Sequence, residues 1–453
     1  MAHHLGHSPP GEKKPGHKHK AALALPDFAK SGLKRTGFGT AARQLGPGLI
    51  TGASDDDPSG IGTYSQAGAQ LGYGIGWTML LTFPLMVAIQ DISARVGRVT
   101  GEGIASAISR FYSPTLLHGV IVLLFVANTI NIAADLGAMA DATKLLIGGP
   151  AFLYVVLYGG ISVLAQIFLD YKRYVAVLKW LTLSLFAYVA ALAFAKVSWS
   201  DAVKGALLPQ VQWSTDYLTT VVAIFGTTIS PYLFFWQASQ EAEDQRIDAR
   251  KHPLIHKHYG ARKEFSRIRA DTVVGMGFSN LIALSIIVTA AATLNAAGKT
   301  DIQTSAQAAE ALKPIAGSFA EIIFALGIVG TGLLAVPVLA GSVAYAVGEA
   351  RHWPVGLARK PREAISFYSV LALAALIGIG LNFTPVNPIS ALYWSAVING
   401  VLAVPLMVLI MLLAHRRDVM GRFRVTGPLL WLGWLATAVM AVCVVAMGAG
   451  FLL

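Results

Sequence analysis

The sequence predicts an all-α polytopic membrane protein: two inverted five-helix repeats followed by an eleventh helix, with helices 1 and 6 broken. Three observations predict it. Of 453 residues, 55% are hydrophobic and 13% charged, with a mean hydropathy of +0.59; a soluble domain carries about 25% charged residues. Positive charge alternates between the segments that join the apolar runs. Two runs, five spans apart, are interrupted by proline and small polar residues at matching positions.

The elements follow in order. Residues 1–44, opening "MAHHLGHSPPGEKKPGHKHK", hold Pro, Gly, Lys and His without an apolar core. They read as a disordered basic cytosolic tail rather than a signal peptide. An eleven-helix membrane domain then fills 45–453. Runs long enough to cross about 30 Å of hydrocarbon lie near 46–71, 75–94, 115–146, 150–169, 174–195, 217–240, 272–294, 316–346, 364–383, 388–413 and 427–451. Repeat one is about 46–195, repeat two about 217–413, and the extra helix about 427–451. The single cysteine, Cys443, allows no intrachain disulfide.

Lysine and arginine give the topology. The tail and the loops after even-numbered spans hold 29 of the 35 basic residues, while the other loops hold five: Lys144, Lys196, Lys204, Lys299 and Lys313. Lys179 snorkels from within a span. This bias puts the amino terminus in the cytoplasm and the carboxyl terminus outside a cell membrane. It also accounts for the net charge of +11 without a nucleic-acid partner.

Span 1 is interrupted at Asp57-Pro58-Ser59-Gly60. Span 6 is interrupted within "GTTISPYLFFWQ", Gly226 to Gln237, where Thr227, Thr228 and Ser230 crowd Pro231. A helix broken inside lipid leaves carbonyls unsatisfied, which is tolerated where they line a cavity or bind a ligand. Freed carbonyls and half-helix carboxyl ends attract cations, and an in-span carboxylate completes such a site.

At these residues a family resemblance appears. "GPGLITGASDDDPSGIGTYSQAGA", Gly46 to Ala69, resembles the first span of the NRAMP divalent-metal transporters. "SARVGRVTGEG", Ser93 to Gly103, and "HRRDVMGRF", His415 to Phe423, resemble the family's stretches after spans 2 and 10. The resemblance covers roughly 46 to 425. It implies a LeuT-like fold, alternating access and a divalent cation carried as substrate, with no resident cofactor.

Asp57 matches the family's metal-binding aspartate, but the family's following Asn is Gly60 here. Its Met-Pro-His in span 6 is Ser230-Pro231-Tyr232, and a later His is Gln237. Replacing the soft thioether by Ser230, beside Thr227 and Thr228, leaves oxygen donors, which suit a hard, partly hydrated ion. This is the pattern of the NRAMP-related magnesium transporters, so the expected substrate is Mg2+, with Mn2+ also carried.

In span 3, Asp135 matches a family aspartate, but the acid one turn later is Ala138. Tyr232 does not titrate near neutrality. Proton coupling is therefore expected to be weak or absent. Membrane potential suffices: two charges gain about 4.6 kcal/mol per 100 mV, a gradient of over a thousandfold at about 1.4 kcal/mol per decade.

Other polar residues take supporting parts in this reading. Asp56 is favoured over Asp55 for holding the ion's water, with Asp55 facing solvent. Asn131 and Asp135 share a helical face toward the bundle interior. Asn399, near the position of a family Gln aligned with Val397, reaches the ion's water or glues helices. Tyr232 and Gln237 belong to the gating shell. Glu241, Glu243 and Asp244 read as a solvated helix end. The basic loop with His252, His256 and His258 reads as lipid-facing, without a closed zinc ligand set.

Four rival readings stand beside this one, among them a passive channel, whose flux would keep rising with ion concentration beyond what a carrier's alternating cycle permits. The nearest is a proton-coupled Mn2+/Fe2+ importer. An amino-acid carrier of the same fold is disfavoured, because Asp57 repels a substrate carboxylate. A membrane prenyltransferase is more distant still, because "DDDPSG" has no second Asp-rich cluster. The lipid bilayer is the expected partner, and nothing in the sequence calls for more than a monomer.

Overall fold

The computed structural model describes residues 47–168, 185–247, 252–256 and 259–452. The tail at 1–44 and the first half of the fifth span lie outside the described residues. The first span is two half-helices, α1 (Pro47–Asp55) and α2 (Pro58–Leu71), followed by α3 (Trp77–Thr100), α4 (Pro114–Ile147) and α5 (Ala151–Phe168). The second repeat opens with another divided span, α6 (Thr215–Thr228) and α7 (Pro231–Ile247), then α8 (Ala261–Ala290), α9 (Ala320–Ala350), α10 (Ile365–Leu381) and α11 (Pro388–His415). The extra helix is α12 (Pro428–Leu452). Eight described helical runs are long and apolar enough to cross a membrane.

Local chemistry sets several starts. Ser113 before Pro114, Asn387 before Pro388 and Asp57 before Pro58 each cap a helix whose first residue is proline. The cap side chain takes an orphan N–H, and proline gives up an N–H that had no partner anyway. α3 closes on Gly101, whose φ of 73° is left-handed, a conformation glycine adopts without penalty.

The inverted repeat shows in the packing. Half-helix α1 lies on α8, and half-helix α7 lies on the corresponding helix of the other repeat, α3. Glycine makes both approaches close. A Cβ at Gly52 would come 2.3 Å from the Gly275 carbonyl, and one at Gly97 would come 2.0 Å from the Ala238 carbonyl oxygen. Gly97→Val is expected to cost about 1–3 kcal/mol of overpacking and to lower the melting temperature of the purified protein. Gly119→Val, where a Cβ meets nothing within 4 Å, should leave it unchanged; equal melting of the two variants would refute the contact.

The bundle has two ends with distinct loop sets. At one, the basic end, the segments after α3, α7 and α11 interlock: the Leu254 and Ile255 N–H groups donate to Arg98 O and Val99 O, and Arg416 donates to Phe111 O. At the other end, Ser198 N–H donates to Tyr73, Ser305 to Asp141 and Asn387 to Gln303 O. There Thr215 also donates to Gly450 O at the end of α12. This separation follows the alternation of basic loops in the sequence.

Candidate functional site

Asp57 stands at the first break. Its Oδ1 accepts from the Gly60 N–H at 2.8 Å and the Ser59 hydroxyl at 2.6 Å. Its Oδ2 accepts from Asn131 Nδ2 at 3.1 Å and the Tyr232 hydroxyl at 3.3 Å. Four donors hold one buried carboxylate, and none is lysine or arginine. The interruption sits one residue earlier than the sequence suggests. Only Asp56 and Asp57 are non-helical, because Pro58 at the first helical position and the Asp57 cap start α2 at once. Gly60 therefore supplies space and not a freed carbonyl.

The second break is at Ile229 and Ser230. The Ser230 hydroxyl turns back on α6, 2.7 Å from Thr227 O and 3.0 Å from Gly226 O. Thr228 likewise donates to Ile224 O at 2.9 Å. Both hydroxyls thus spend their protons on their own helix, and their oxygens remain acceptors. A Cβ at Gly60 would lie 3.2 Å from Thr227 Oγ1 and 3.4 Å from Asp55 O, so the two breaks face each other. Tyr232 spans them, its hydroxyl 3.0 Å from Ser54 O as well as contacting Asp57.

α4 supplies the third side through Asn131. Asp135, one turn on, is buried beside Asp57 and faces the Ser59 N–H without reaching hydrogen-bond geometry. Asn399 is buried on α11, next to the Gly400 and Ala396 backbone that Gly226 meets, and its Nδ2 has no hydrogen-bond partner among the described residues. Gln237 is not brought to the breaks. It lies about two turns along α7 and donates to Thr272 of α8 at 3.2 Å.

Two exposure expectations are corrected. Asp55 does not face solvent: it and Asp56 are both buried and share the Ser279 hydroxyl of α8, at 2.6 and 3.1 Å. The close seating of α1 on α8 turns that face of the break inward. Glu241 and Glu243 are not a solvated helix end either. Glu241 pairs with Arg267 at 2.6 Å, and Glu243 accepts from Ala358 N–H at 2.7 Å, from Leu357 N–H and from Tyr345. α7 runs on to Ile247 enclosed by α3, α8 and α9, a neighbourhood that helix-end polarity does not reveal.

Ser279 escaped the sequence reading, although a Ser-Asn pair within an apolar run was its signal. Among the described residues, no three His, Cys, Asp or Glu side chains converge on a metal-sized position. His256 lines a hollow with Glu102 and Asp418, while His258 lies outside the described residues. The donors around Asp57 are hydroxyls, amides and carbonyls instead. A cavity of about 470 Å³ opens at the end opposite the basic one and descends α2 past Gln70 and Gln66 to Gly62. There Leu392 packs on α2, 3.0 Å from where a Gly62 Cβ would be. Asp57 lies buried below.

Two broken helices meeting around a buried carboxylate, within a five-plus-five bundle, define an inverted-repeat membrane protein of the LeuT-like class. Residues 48–449 match the family model Nramp, natural resistance-associated macrophage protein-like, and the chain belongs to that family. A divalent metal cation transporter MntH from Deinococcus radiodurans is 28% identical over 422 residues, covering 90% of this chain and 89% of its own. The MntH of Verminephrobacter eiseniae is 26% identical over 389 residues, covering 84% and 82%. The Eremococcus coleocola manganese transporter, solved with an aromatic bis-isothiourea substituted compound, superimposes with a TM-score of 0.69 at 17% identity, covering 93% of this chain and 90% of that one. MhsT in complex with L-phenylalanine gives 0.55 at 13% identity over 89% and 97% of the two chains, so these two likenesses speak to the fold. The relatives are named as transporters, not as enzymes, and the prenyl-transfer reading is set aside.

Proposed function

We propose that this protein is a secondary transporter that takes up divalent cations by alternating access, with Mg2+ preferred over Mn2+. Membrane potential drives it, with weak or no proton coupling. Divalent-cation transport draws support from the relatives named above. The preference for magnesium rests on one observation: the position of the family's thioether holds Ser230, and every group hydrogen-bonded to Asp57 is oxygen or nitrogen. Hard ions favour oxygen and shed water reluctantly. The ion would rest among Asp57, Thr227, Thr228 and Ser230, with room left by Gly60 and its water held toward Asp56. Asn131, Tyr232, Asp135 and Asn399 would orient that shell. With the basic end in the cytoplasm, the cavity above Gly62 faces outward.

Flux into proteoliposomes carrying a pH dye tests this. Magnesium is expected to enter faster than manganese, to follow an imposed negative potential and to leave internal pH steady. Manganese entry without magnesium, accompanied by acidification, would return the protein to the proton-coupled manganese and iron importers. That second reading has its own observation. Asp55 and Asp56 share a single hydroxyl, and with Asp135 they are carboxylates able to carry a proton where the family's histidine is Tyr232.

A further inference from the structure

Two hollows on the flank of the bundle share a wall. One, of about 490 Å³ at the basic end, is lined by Arg95 of α3, by Arg262, Phe265, Ser266 and Arg269 of α8, and by Phe423. The other, of about 340 Å³, runs on between α3, α8 and α12 and is apolar apart from its mouth: Phe83, Val87, Val273, Leu429 and Leu432 line it, with Asp91 and Arg269 at the shared edge. α3 and α8 pass antiparallel here. Arg95 stacks 4.8 Å over Phe265, Asp91 meets Arg269 at 3.8 Å, and Phe83 lies beside Gly277.

The chemistry of this wall changes along its length. Asp91 is held by both Nε and Nη2 of Arg95 at 3.0 Å. Three guanidiniums against that one carboxylate leave two positive charges, and the Arg269 side chain is 62% exposed. From Asp91 to Phe83 the helix climbs about 12 Å at 1.5 Å per residue, close to the roughly 15 Å of one leaflet's hydrocarbon. A basic mouth at the membrane surface above an apolar groove one leaflet deep matches a phosphate carrying acyl chains.

We propose that this wall is a binding site for an anionic phospholipid of the leaflet at the basic end. Arg262, Arg269 and Arg95 take the phosphate, and an acyl chain lies between α3, α8 and α12. The site does not depend on which ion the protein carries. It joins the extra helix to the helices that seat both half-helices.

Native mass spectrometry of the purified full chain, with phosphatidylglycerol and phosphatidylcholine added in equal amount, tests it. Wild type is expected to retain phosphatidylglycerol preferentially. Losing two arginines in Arg262→Ala/Arg269→Ala should weaken that retention about thirtyfold, while Arg262→Lys/Arg269→Lys keeps most of it. Val273→Trp fills the groove without touching charge and should also lose the lipid. Equal retention of the two lipids, unchanged retention in Val273→Trp, or displacement by millimolar inorganic phosphate would each overturn the proposal, the last by showing a site for the free anion. Circular dichroism of each variant confirms that the helices persist, and a variant that loses them is replaced by Leu432→Trp, which narrows the same groove from α12.

Discussion

Asp57→Ala protein is expected to fold, insert and carry no divalent cation. The carboxylate is the charged group that both breaks face, and truncating one partner of a buried charge pair costs about 3–5 kcal/mol. Ion binding should therefore fall by more than about a hundredfold. The same substitution is mild for the fold. It removes a helix cap, worth about 1 kcal/mol, and leaves the Asn131 and Ser59 donors without this partner, while the Tyr232 hydroxyl keeps Ser54 O; it also lifts the desolvation of a buried charge. Tracer flux and isothermal titration with Mg2+ read the outcome, and normal uptake in a well-folded Asp57→Ala protein would falsify the assignment. Asp57→Asn, which keeps the shape and one acceptor oxygen, should be nearly as inactive, separating lost charge from lost geometry.

The second large effect is on selectivity. Ser230→Met together with Gly60→Asn should raise manganese transport relative to magnesium by about tenfold or more, a ratio worth about 1.4 kcal/mol. Methionine brings a polarisable sulfur that soft ions favour and hard ions do not. It also releases Thr227 O and Gly226 O from the Ser230 hydroxyl, offering two carbonyls to a dehydrated ion. An asparagine at 60 points into the gap beside Thr227 Oγ1, where a Cβ is tight at 3.2 Å but not blocked. Competition between the two ions in one flux assay decides the matter. An unchanged ratio in the double variant would mean that selectivity is set away from the breaks.

Much of the fold was legible because its signals are long and redundant. A stretch such as 388–413 is apolar over its whole length, opens on Asn387-Pro388 and ends at arginines, and α11 runs Pro388–His415. Both breaks were legible from proline beside small polar residues, although Asp57 as a cap moved the first by one position. The polar surroundings were harder to read. The face Asp55 presents depends on how α1 sits on α8, and that depends on Gly52 meeting Gly275, a contact between residues far apart in the chain. Glu241 and Glu243 looked solvated because polarity near a helix end usually means water, yet Arg267 and the Leu357 and Ala358 N–H groups reach them from other elements. Gln237 lies in the same divided span as Ser230 but points to Thr272, and helical phase in a divided span cannot be counted across the break. Such facts are tertiary, and a single sequence carries them only weakly.

The clamping of α7 at its far end has a mechanical consequence. Glu241 is bound to Arg267 of α8, Glu243 to the Tyr345 hydroxyl and the Ala358 amide, and Arg246 to Val355 O. Half-undoing this latch would strand a lone ion in a dry interior, the costliest arrangement open to it. Partial gaping toward the basic loops is therefore penalised more than either complete closure or complete release. A latch of this kind favours two end positions of α7 over the positions between them.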